Sequence, residues 1–507
     1  MPTEHFPVPV LQNGVKLTTE PPKGLKANIT RSLANFESWR PWDAEHSAHE
    51  WKKLSFSLCF FHAIIQERRK FGPLGFNIAY EFNETDLETS ILVLHNFLEE
   101  RNGVPWDALR YMIGSIAYGG RVTDDLDQRC LMEILSRFLT PAVLEEGYKF
   151  SASGRYFAPA EGPLGAFVDY VRALPEVDHP EVFGMSANAA ISFQQAEAQQ
   201  LLDACLAIQP RSTSSATGKS TDEVVSELAA DILAQLPGDL LDTEAGERTF
   251  EFHGEHMDSL GTVLKQEMAR FNRLLGVLRR TLSELQRAIR GEALMSDELD
   301  SVYVAINDNK VPRVWEAAAY PSLKPLASWV KDLNAKVDFM RDWLVNGKPP
   351  VFWLAGFFFP QGFTTGALQN FSRKYQIPID TLGFAYRVLA VDSREELPED
   401  QVPQDGVLVS GLFLDGARWD KASHTLQDAA PGELFTVLPI VHFLPSTRSK
   451  CPADAYECPV YKTSVRAGQL STTGLSTNFI VALHLKTDRP VQEWILKGIA
   501  GLTQLDT

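Results

Sequence analysis

Between Leu260 and Ile289 the apolar residues Leu260, Leu264, Met268, Phe271, Leu275, Leu278, Leu282, Leu285 and Ile289 recur at steps of three or four. That period is one face of an α-helix running for about four heptads. A helix of this length cannot stand alone with such a face exposed. Either the chain wraps a helical core around it or a coiled-coil partner does. The reading adopted is a long core helix whose Arg270, Arg273, Arg280 and Arg287 remain solvated through their long stems. A second amphipathic helix is predicted over Leu326 to Val345, with Trp329, Leu333, Val337, Met340 and Leu344 on its buried side.

The next segment is apolar without a helical period. Val351 to Phe359 is bracketed by Pro349, Pro350 and Pro360 and is far shorter than the roughly 20 residues that span a bilayer. A buried strand or extended segment is expected. Helix is predicted from Phe363 to Tyr375, capped by Thr364 or Thr365, with Leu368, Phe371 and Tyr375 on one face. After Ile377 the period changes to two. Leu382 to Val391, Gly406 to Phe413, Leu434 to Leu444, Val460 to Val465 and Asn478 to Lys486 read as strands, separated by turn residues such as Asp415-Gly416 and Pro431-Gly432. Closing them into a small antiparallel barrel would remove the sheet edges.

The N-terminal half is helical apart from its first residues. Residues 1 to 45 mix proline, glycine and short apolar runs, as the end of a larger α/β module would, and alone would expose apolar surface. From Glu50 to Leu144, three faces repeat at helical spacing: Leu54, Leu58, Phe61 and Ile65; Leu87, Ile91, Leu94 and Leu98; Leu109, Ile113 and Ile116. Gly119 and Gly120 are expected to end the third helix in left-handed geometry. Thr123 is expected to cap the next, which carries Asp124, Asp125 and Asp127 in its first turn. Ala152 to Pro180, rich in glycine and proline, should wrap rather than form long elements, and helix should return from Ser192 to Ile208.

The net charge of −17 disfavours direct contact with nucleic acid or any other strongly acidic surface, which call for a basic face. The charge is uneven. Asp222 to Asp258 holds eleven acids against Arg248, and the basic helix that follows would offset them. The five cysteines, Cys59, Cys130, Cys205, Cys451 and Cys458, form no CxxC pair. Neither a disulfide framework nor a zinc ribbon is indicated, and a reducing compartment fits. The N-terminus has no signal-peptide pattern.

Motifs that would carry chemistry are incomplete. Thr217 to Thr221 imitates the end of a phosphate-binding loop through Gly218, Lys219 and Ser220. The full spacing, however, needs glycine where Thr213 stands, and a strand where a Leu-rich helix precedes it. A flexible Ser/Thr loop is the plainer reading. His46 and His49 between Glu45 and Glu50, and His253 with His256, are the metal candidates; neither pair has HExxH spacing, and both are read as surface composition. No catalytic serine elbow, cysteine block or paired-carboxylate motif stands out.

Several stretches resemble, in order, the end of dynein heavy chains. Phe6 to Arg31 (FPVPVLQNGVKLTTEPPKGLKANITR) is similar to the last part of the sixth AAA+ module of that family. Phe61 to Phe76, Ala108 to Asp125 (ALRYMIGSIAYGGRVTDD), Pro180 to Asn188 (PEVFGMSAN), Trp343 to Lys374 and the closing EWILKGIAGLTQL follow as in the family. The wording is closer to axonemal than to cytoplasmic members.

The resemblance implies a multidomain α+β chain. Residues 1–45 would be the end of the sixth AAA+ large subdomain, 46–180 its helical lid, 181–350 the helical part and 351–507 the β-barrel part of the C-terminal domain. Family members carry several AAA+ modules, a tail and a microtubule-binding stalk ahead of this region. The chain is therefore expected to complete and regulate the ring without hydrolysing ATP itself, with ATP and magnesium in the modules it lacks. The implied partners are the rest of the heavy chain, then intermediate and light chains, with the microtubule reached through the stalk; nucleic acid and membrane are not among them. The implied location is the cytoskeleton of the cytoplasm and the axoneme of a cilium or flagellum. Arg121, beside Gly119 and Gly120, is the residue that in an AAA+ lid would face a neighbouring site, or else cap its helix and pair with Asp124 or Asp125. Lys23, Lys26 and Arg31 lie where a neighbouring module would approach. Two other classes stay open: a free-standing enzyme or ligand-binding protein using the barrel mouth or the His46/His49 pair, and a stand-alone interaction scaffold.

Overall fold

The computed structural model describes residues 7–15, 22–39, 41–43, 48–100, 103–208, 220–237, 252–253, 256–398, 402–448, 450–468 and 476–506. The protein divides into two compact units, one of residues 1–69, 80–121 and 131–183, the other of residues 70–79, 122–130 and 184–507.

The first unit is helical and is built around helix Ala48–Arg68. Its predicted face, Leu54, Leu58, Phe61 and Ile65, is buried, but so are Phe56, Phe60 and Ile64 on its other sides. Phe56 meets Phe167 at 5.1 Å and Phe60 meets Phe150 at 4.9 Å between ring centroids. A helix apolar all round is a central one. Helices Leu25–Trp39, Glu84–Glu100 and Leu164–Arg172 lie among its neighbours in the unit. The last of these, nine residues long, is a short element in the stretch expected to wrap rather than form long ones. Helix Val8–Asn13 leaves Val8 and Val10 more than half exposed, as the reading of residues 1–45 anticipated.

The third predicted helix departs from α geometry. Trp106–Arg110 is α-helical, but Tyr111–Ala117 winds as a π-helix. Gly114 explains the departure: a Cβ there would stand 2.5 Å from Met132 Sδ and 2.8 Å from Leu135 Cδ2. The backbone is pressed onto those side chains, and the wider turn accommodates the approach. As a result Ile116, expected on the buried face with Leu109 and Ile113, is 52% exposed. Gly119–Arg121 then forms a 3-10 turn, and neither Gly119 nor Gly120 has positive φ, so the expected left-handed stop is absent. Asp124, not Thr123, caps helix Asp125–Phe138: its Oδ1 accepts from the N–H of Leu126 at 2.9 Å and of Asp127 at 3.0 Å. A carboxylate at that position also meets the helix dipole, which a threonine hydroxyl does not.

In the second unit, helix Ser259–Ile289 has the predicted apolar face buried from Leu260 to Leu285. Helices Thr221–Gln235, Asp297–Asn307, Leu326–Asn346 and Pro360–Tyr375 accompany it. The last begins at Pro360, three residues before the expected start, because proline suits the first helical position, where no N–H is needed. Thr364 and Thr365 therefore lie inside the helix, and their hydroxyls donate to the Gln361 carbonyl at 2.9 Å. Its buried face is Phe363, Gly366 and Ala367 rather than Leu368, Phe371 and Tyr375. A Cβ on Gly366 would stand 3.0 Å from Val263 Cγ2 of the long helix.

The β-region is mixed and open rather than a small antiparallel barrel. One sheet has the spatial order Phe352–Trp353, Val407–Ser410, Val441–Thr447, Leu382–Val388, its first pair parallel. The other runs Phe479–Lys486, Ala455–Tyr461, Ala500–Leu502, Leu412–Asp415, Phe435–Leu438. Ala500–Leu502 lies parallel to Ala455–Tyr461 inside it. A hairpin pairs Ala417–Asp420 with Thr425–Asp428. Among the described residues no ladder closes into a ring. Two of the predicted strands are each split between the sheets. Gly411, at φ +77°, breaks the first because a Cβ would strike Trp353 Cδ1 at 2.5 Å. Pro439, which has no N–H for a ladder, breaks the second. No helix among the described residues is long and apolar enough to cross a membrane.

Candidate functional site

Two of the expected ring-contact arginines converge on the head of helix Glu84–Glu100. Asn83 and Asp86 form a reciprocal cap there: Asp86 Oδ2 accepts from the Asn83 N–H at 2.9 Å, and Asn83 Oδ1 accepts from the Asp86 N–H at 3.4 Å. Arg121 Nε donates to Asp86 Oδ1 at 2.9 Å, and Arg31 pairs with Glu84. Asn35 also donates to Glu84, at 3.3 Å. Arg121 thus takes Asp86 as its partner in place of the expected Asp124 or Asp125. The helix N-terminus concentrates carboxylates at this point, and the carboxylates draw the arginines. Asp86 is buried, while the Arg121 and Arg31 side chains are 42% and 43% exposed.

Beneath this head lies a buried polar pair. His62 Nδ1 and the Tyr118 hydroxyl are 3.0 Å apart. Burial, and secondly the charge of Arg31, push the His62 pKa down to about 3, so the ring is neutral and bonds as a neutral group. Burial raises the Tyr118 phenol well above its usual range. The Asn83-x-x-Asp86 spacing was the sequence signal for the capped head; no local signal marks His62 and Tyr118 as partners.

The two lysines lie elsewhere. Lys26 pairs with Glu176 at 2.5 Å near the start of helix Leu25–Trp39, where the Leu25 N–H donates to Asp178 Oδ2 at 3.1 Å. Lys23 is exposed. The structure therefore brings Arg31 and Arg121 onto one helix turn and leaves Lys23 and Lys26 apart from it.

Of the chemical decoys, Gly218, Lys219, Thr213 and His46 lie outside the described residues. Ser220 caps helix Thr221–Gln235: its hydroxyl accepts from the Glu223 N–H at 3.2 Å while Glu223 accepts from the Ser220 N–H at 2.9 Å. His49 sits between Glu161 Oε2 at 3.1 Å and the Leu144 carbonyl at 3.1 Å. His253 and His256 pair through their backbones in a two-residue ladder. All five cysteines are free.

In the second unit, charged side chains hold the apolar segment after Pro350. Glu267 accepts from the backbone N–H of Phe358, from that of Phe359 at 3.2 Å, and from Arg270 at 2.6 Å. Burial nevertheless raises its pKa. Lys336 donates to the Ala355 carbonyl, faces Asp332 at 3.2 Å and lies 4.3 Å from the Tyr320 ring centre. Burial lowers its pKa to about 8 against the pull of Asp332. These contacts stiffen the predicted extended segment, which is strand only at Phe352–Trp353 and then turns through Leu354–Gly356. Segments 70–79 and 122–130 belong to this unit as well. Asp127 accepts from the N–H of Asn77 at 2.7 Å and of Ile78 at 3.0 Å, and Asn77 Nδ2 donates to the Tyr461 hydroxyl at 2.9 Å.

One element has almost no cover. Helix Asn188–Ile208 is anchored at its first residue, where Asn188 donates to the Ala430 and Glu433 carbonyls and accepts from the Gly432 N–H. From residue 194 to 205 it is exposed on every side, with Leu201 65% and Leu202 59% accessible.

Two family profiles match the protein: the AAA lid domain of dynein heavy chains over residues 51–189, and the C-terminal domain of dynein heavy chains over residues 195–503. Human dynein axonemal heavy chain 6 is 49% identical over 526 aligned positions, covering 100% of this chain and 12% of the relative. Human dynein axonemal heavy chain 3 is 47% identical, and mouse dynein axonemal heavy chain 1 is 46% identical, each over all of this chain and 12% of its own length. The protein therefore spans about an eighth of the length of these curated relatives. The order of its blocks, the two matched domains and the identity across every part of it agree: the chain belongs to the dynein heavy chain family and matches its C-terminal region, the AAA lid followed by the C-terminal domain.

Proposed function

We propose that this region is the non-catalytic end of an ATP-driven, microtubule-based motor, completing the AAA+ ring and tuning its output in a cilium or flagellum. The observation that carries the reading is the bare helix Asn188–Ile208. A helix exposed on every side from residue 194 to 205 is marginal in water, and Leu201 and Leu202 favour burial against another surface. The remainder of the heavy chain is the surface at hand, since the relatives compared are about eight times longer. Arg121, Arg31, Lys26 and Lys23 serve as further ring contacts in this reading, within a layout of ring remnant (1–45), lid (46–180) and two-part C-terminal domain (181–350 and 351–507). ATP and magnesium act in the other modules, and intermediate chains, light chains and the microtubule are engaged by the whole motor.

Co-expression of this chain with the upstream remainder of a heavy chain, as two polypeptides, tests the proposal. Co-purification is expected, and Leu201→Glu with Leu202→Glu should weaken it about a hundredfold or more, since burying two leucines contributes about 3 kcal/mol or more. Absence of association, or ATP turnover by the chain alone, overturns it.

A further inference from the structure

The outer face of helix Ser259–Ile289 has an organisation that the ring reading does not require. Arg273, Arg280 and Arg287 are exposed and seven residues apart. Among the described residues Arg270 pairs with Glu267 and Arg290 with Glu292, and no carboxylate holds the other three. A seven-residue step drifts only about 20° around a helix, so the three guanidinium groups form one ridge roughly 21 Å long. In a protein of net charge −17 this is a concentrated positive strip. One acid, Glu284, shares the face.

A second row at the same seven-residue spacing, Thr262, Ala269, Gly276 and Ser283, is small and exposed throughout. Gly276 is the informative one. A Cβ there would meet nothing within 4 Å among the described residues, so none of them requires glycine. Yet glycine is the poorest helix former after proline, and what it offers in exchange is close approach of another backbone. Just beyond the helix, Leu294 is 89% and Met295 39% exposed.

We propose that this face docks an acidic α-helix from a polypeptide segment outside the chain. Carboxylates at seven-residue spacing lie over Arg273, Arg280 and Arg287, the two backbones come closest at Gly276, and apolar side chains meet Leu294 and Met295. A flexible acidic tail would need neither the even spacing nor the glycine. The ring reading concerns a different face, helix Asn188–Ile208, so the two stand or fall separately.

The test places the photo-crosslinker p-benzoylphenylalanine at Ser283 in the full heavy chain of assembled motors, with the crosslinked peptide identified by mass spectrometry. A helical segment with carboxylates at heptad spacing is expected. Arg273→Glu, Arg280→Glu and Arg287→Glu together should lower its yield about tenfold, the scale of three exposed ion pairs, and Gly276→Leu should lower it without lowering the melting temperature of the protein. Lysines in place of the partner's carboxylates should restore the yield to the triple variant. Assembled motors that give no crosslink, a crosslink to the acidic residues 239–255 of this chain, to a neutral segment, to a flexible tubulin tail or to nucleic acid, or a triple variant that no charge swap rescues would each overturn the proposal.

Discussion

Lys336→Met keeps the length of the side chain and deletes its charge. In the folded protein the ammonium is 2% exposed, and burial outweighs Asp332 to bring its pKa from 10.5 down to about 8. The unfolded chain holds that proton up to about pH 10.5, while the folded chain releases it above about pH 8. Within that window the unfolded state binds more protons, so stability rises with pH, by about 1.4 kcal/mol per pH unit at full slope. Between pH 7 and pH 9 the wild type should gain about 1 kcal/mol relative to Lys336→Met. The buried thiols of Cys59 and Cys458, pushed up from 9.0 to about 12, act with the opposite sign above pH 9, and both remain in the variant, so the difference between the two proteins removes them. At pH 7 Asp332 keeps Lys324 and the Tyr320 hydroxyl, each at 2.9 Å. The variant should therefore stay within about 2 kcal/mol of wild type, short of the roughly 3–5 kcal/mol of an orphaned buried charge. Urea titrations at pH 7, 8 and 9, followed by tryptophan fluorescence, measure both quantities. Parallel pH curves for the two proteins would refute the claim that burial, and not pairing with Asp332, dominates this lysine.

His62 supplies the acid counterpart. Its folded pKa of about 3 lies below the ordinary 6.5, so only the unfolded chain takes up the proton between those values and stability is lost as pH falls through the window, by roughly 2 kcal/mol from pH 6.5 to 4.5. His62→Gln should flatten that dependence in thermal melts. Asp86→Ala removes the reciprocal cap and the Arg121 partner together and should cost about 1–2 kcal/mol, whereas Arg121→Ala, at a half-exposed pair, should cost about 1 kcal/mol or less; calorimetry of the two variants should give that order. Gly276→Ala should stabilise the protein by about 0.5–1 kcal/mol, because an exposed mid-helix glycine carries a propensity penalty with no contact to offset it; denaturant midpoints read the change.

What could be read before the structure follows from how local each determinant is. The long helix was legible because a three-four repeat sustained over 30 positions admits one solution, and the extended segment after Pro350 because three prolines bracket it. The π-turn was not, since Leu109, Ile113 and Ile116 fit an ordinary helix until Gly114 is seen pressed against Met132 and Leu135. The barrel expectation failed at Gly411 and Pro439, each inside an apolar run that reads as one strand. A glycine that Trp353 forbids from carrying a side chain, and a proline without an N–H, divide those runs between sheets. Arg121 was singled out by residue type, but its partner came from 35 positions earlier in the sequence; nothing near Arg121 marks the helix head that receives it.

The placement of Ala500–Leu502 between Ala455–Tyr461 and Leu412–Asp415 dictates an order of assembly on the ribosome. Both flanking strands emerge first and must wait several seconds, at about 5–20 residues per second, for the wedge that separates them. In that interval two bare edges, one of seven residues and one of four, can zip together out of order. A nonsense codon anywhere ahead of Ala500 would make that interval permanent, and should read out in cells as chaperone retention and degradation of the whole product.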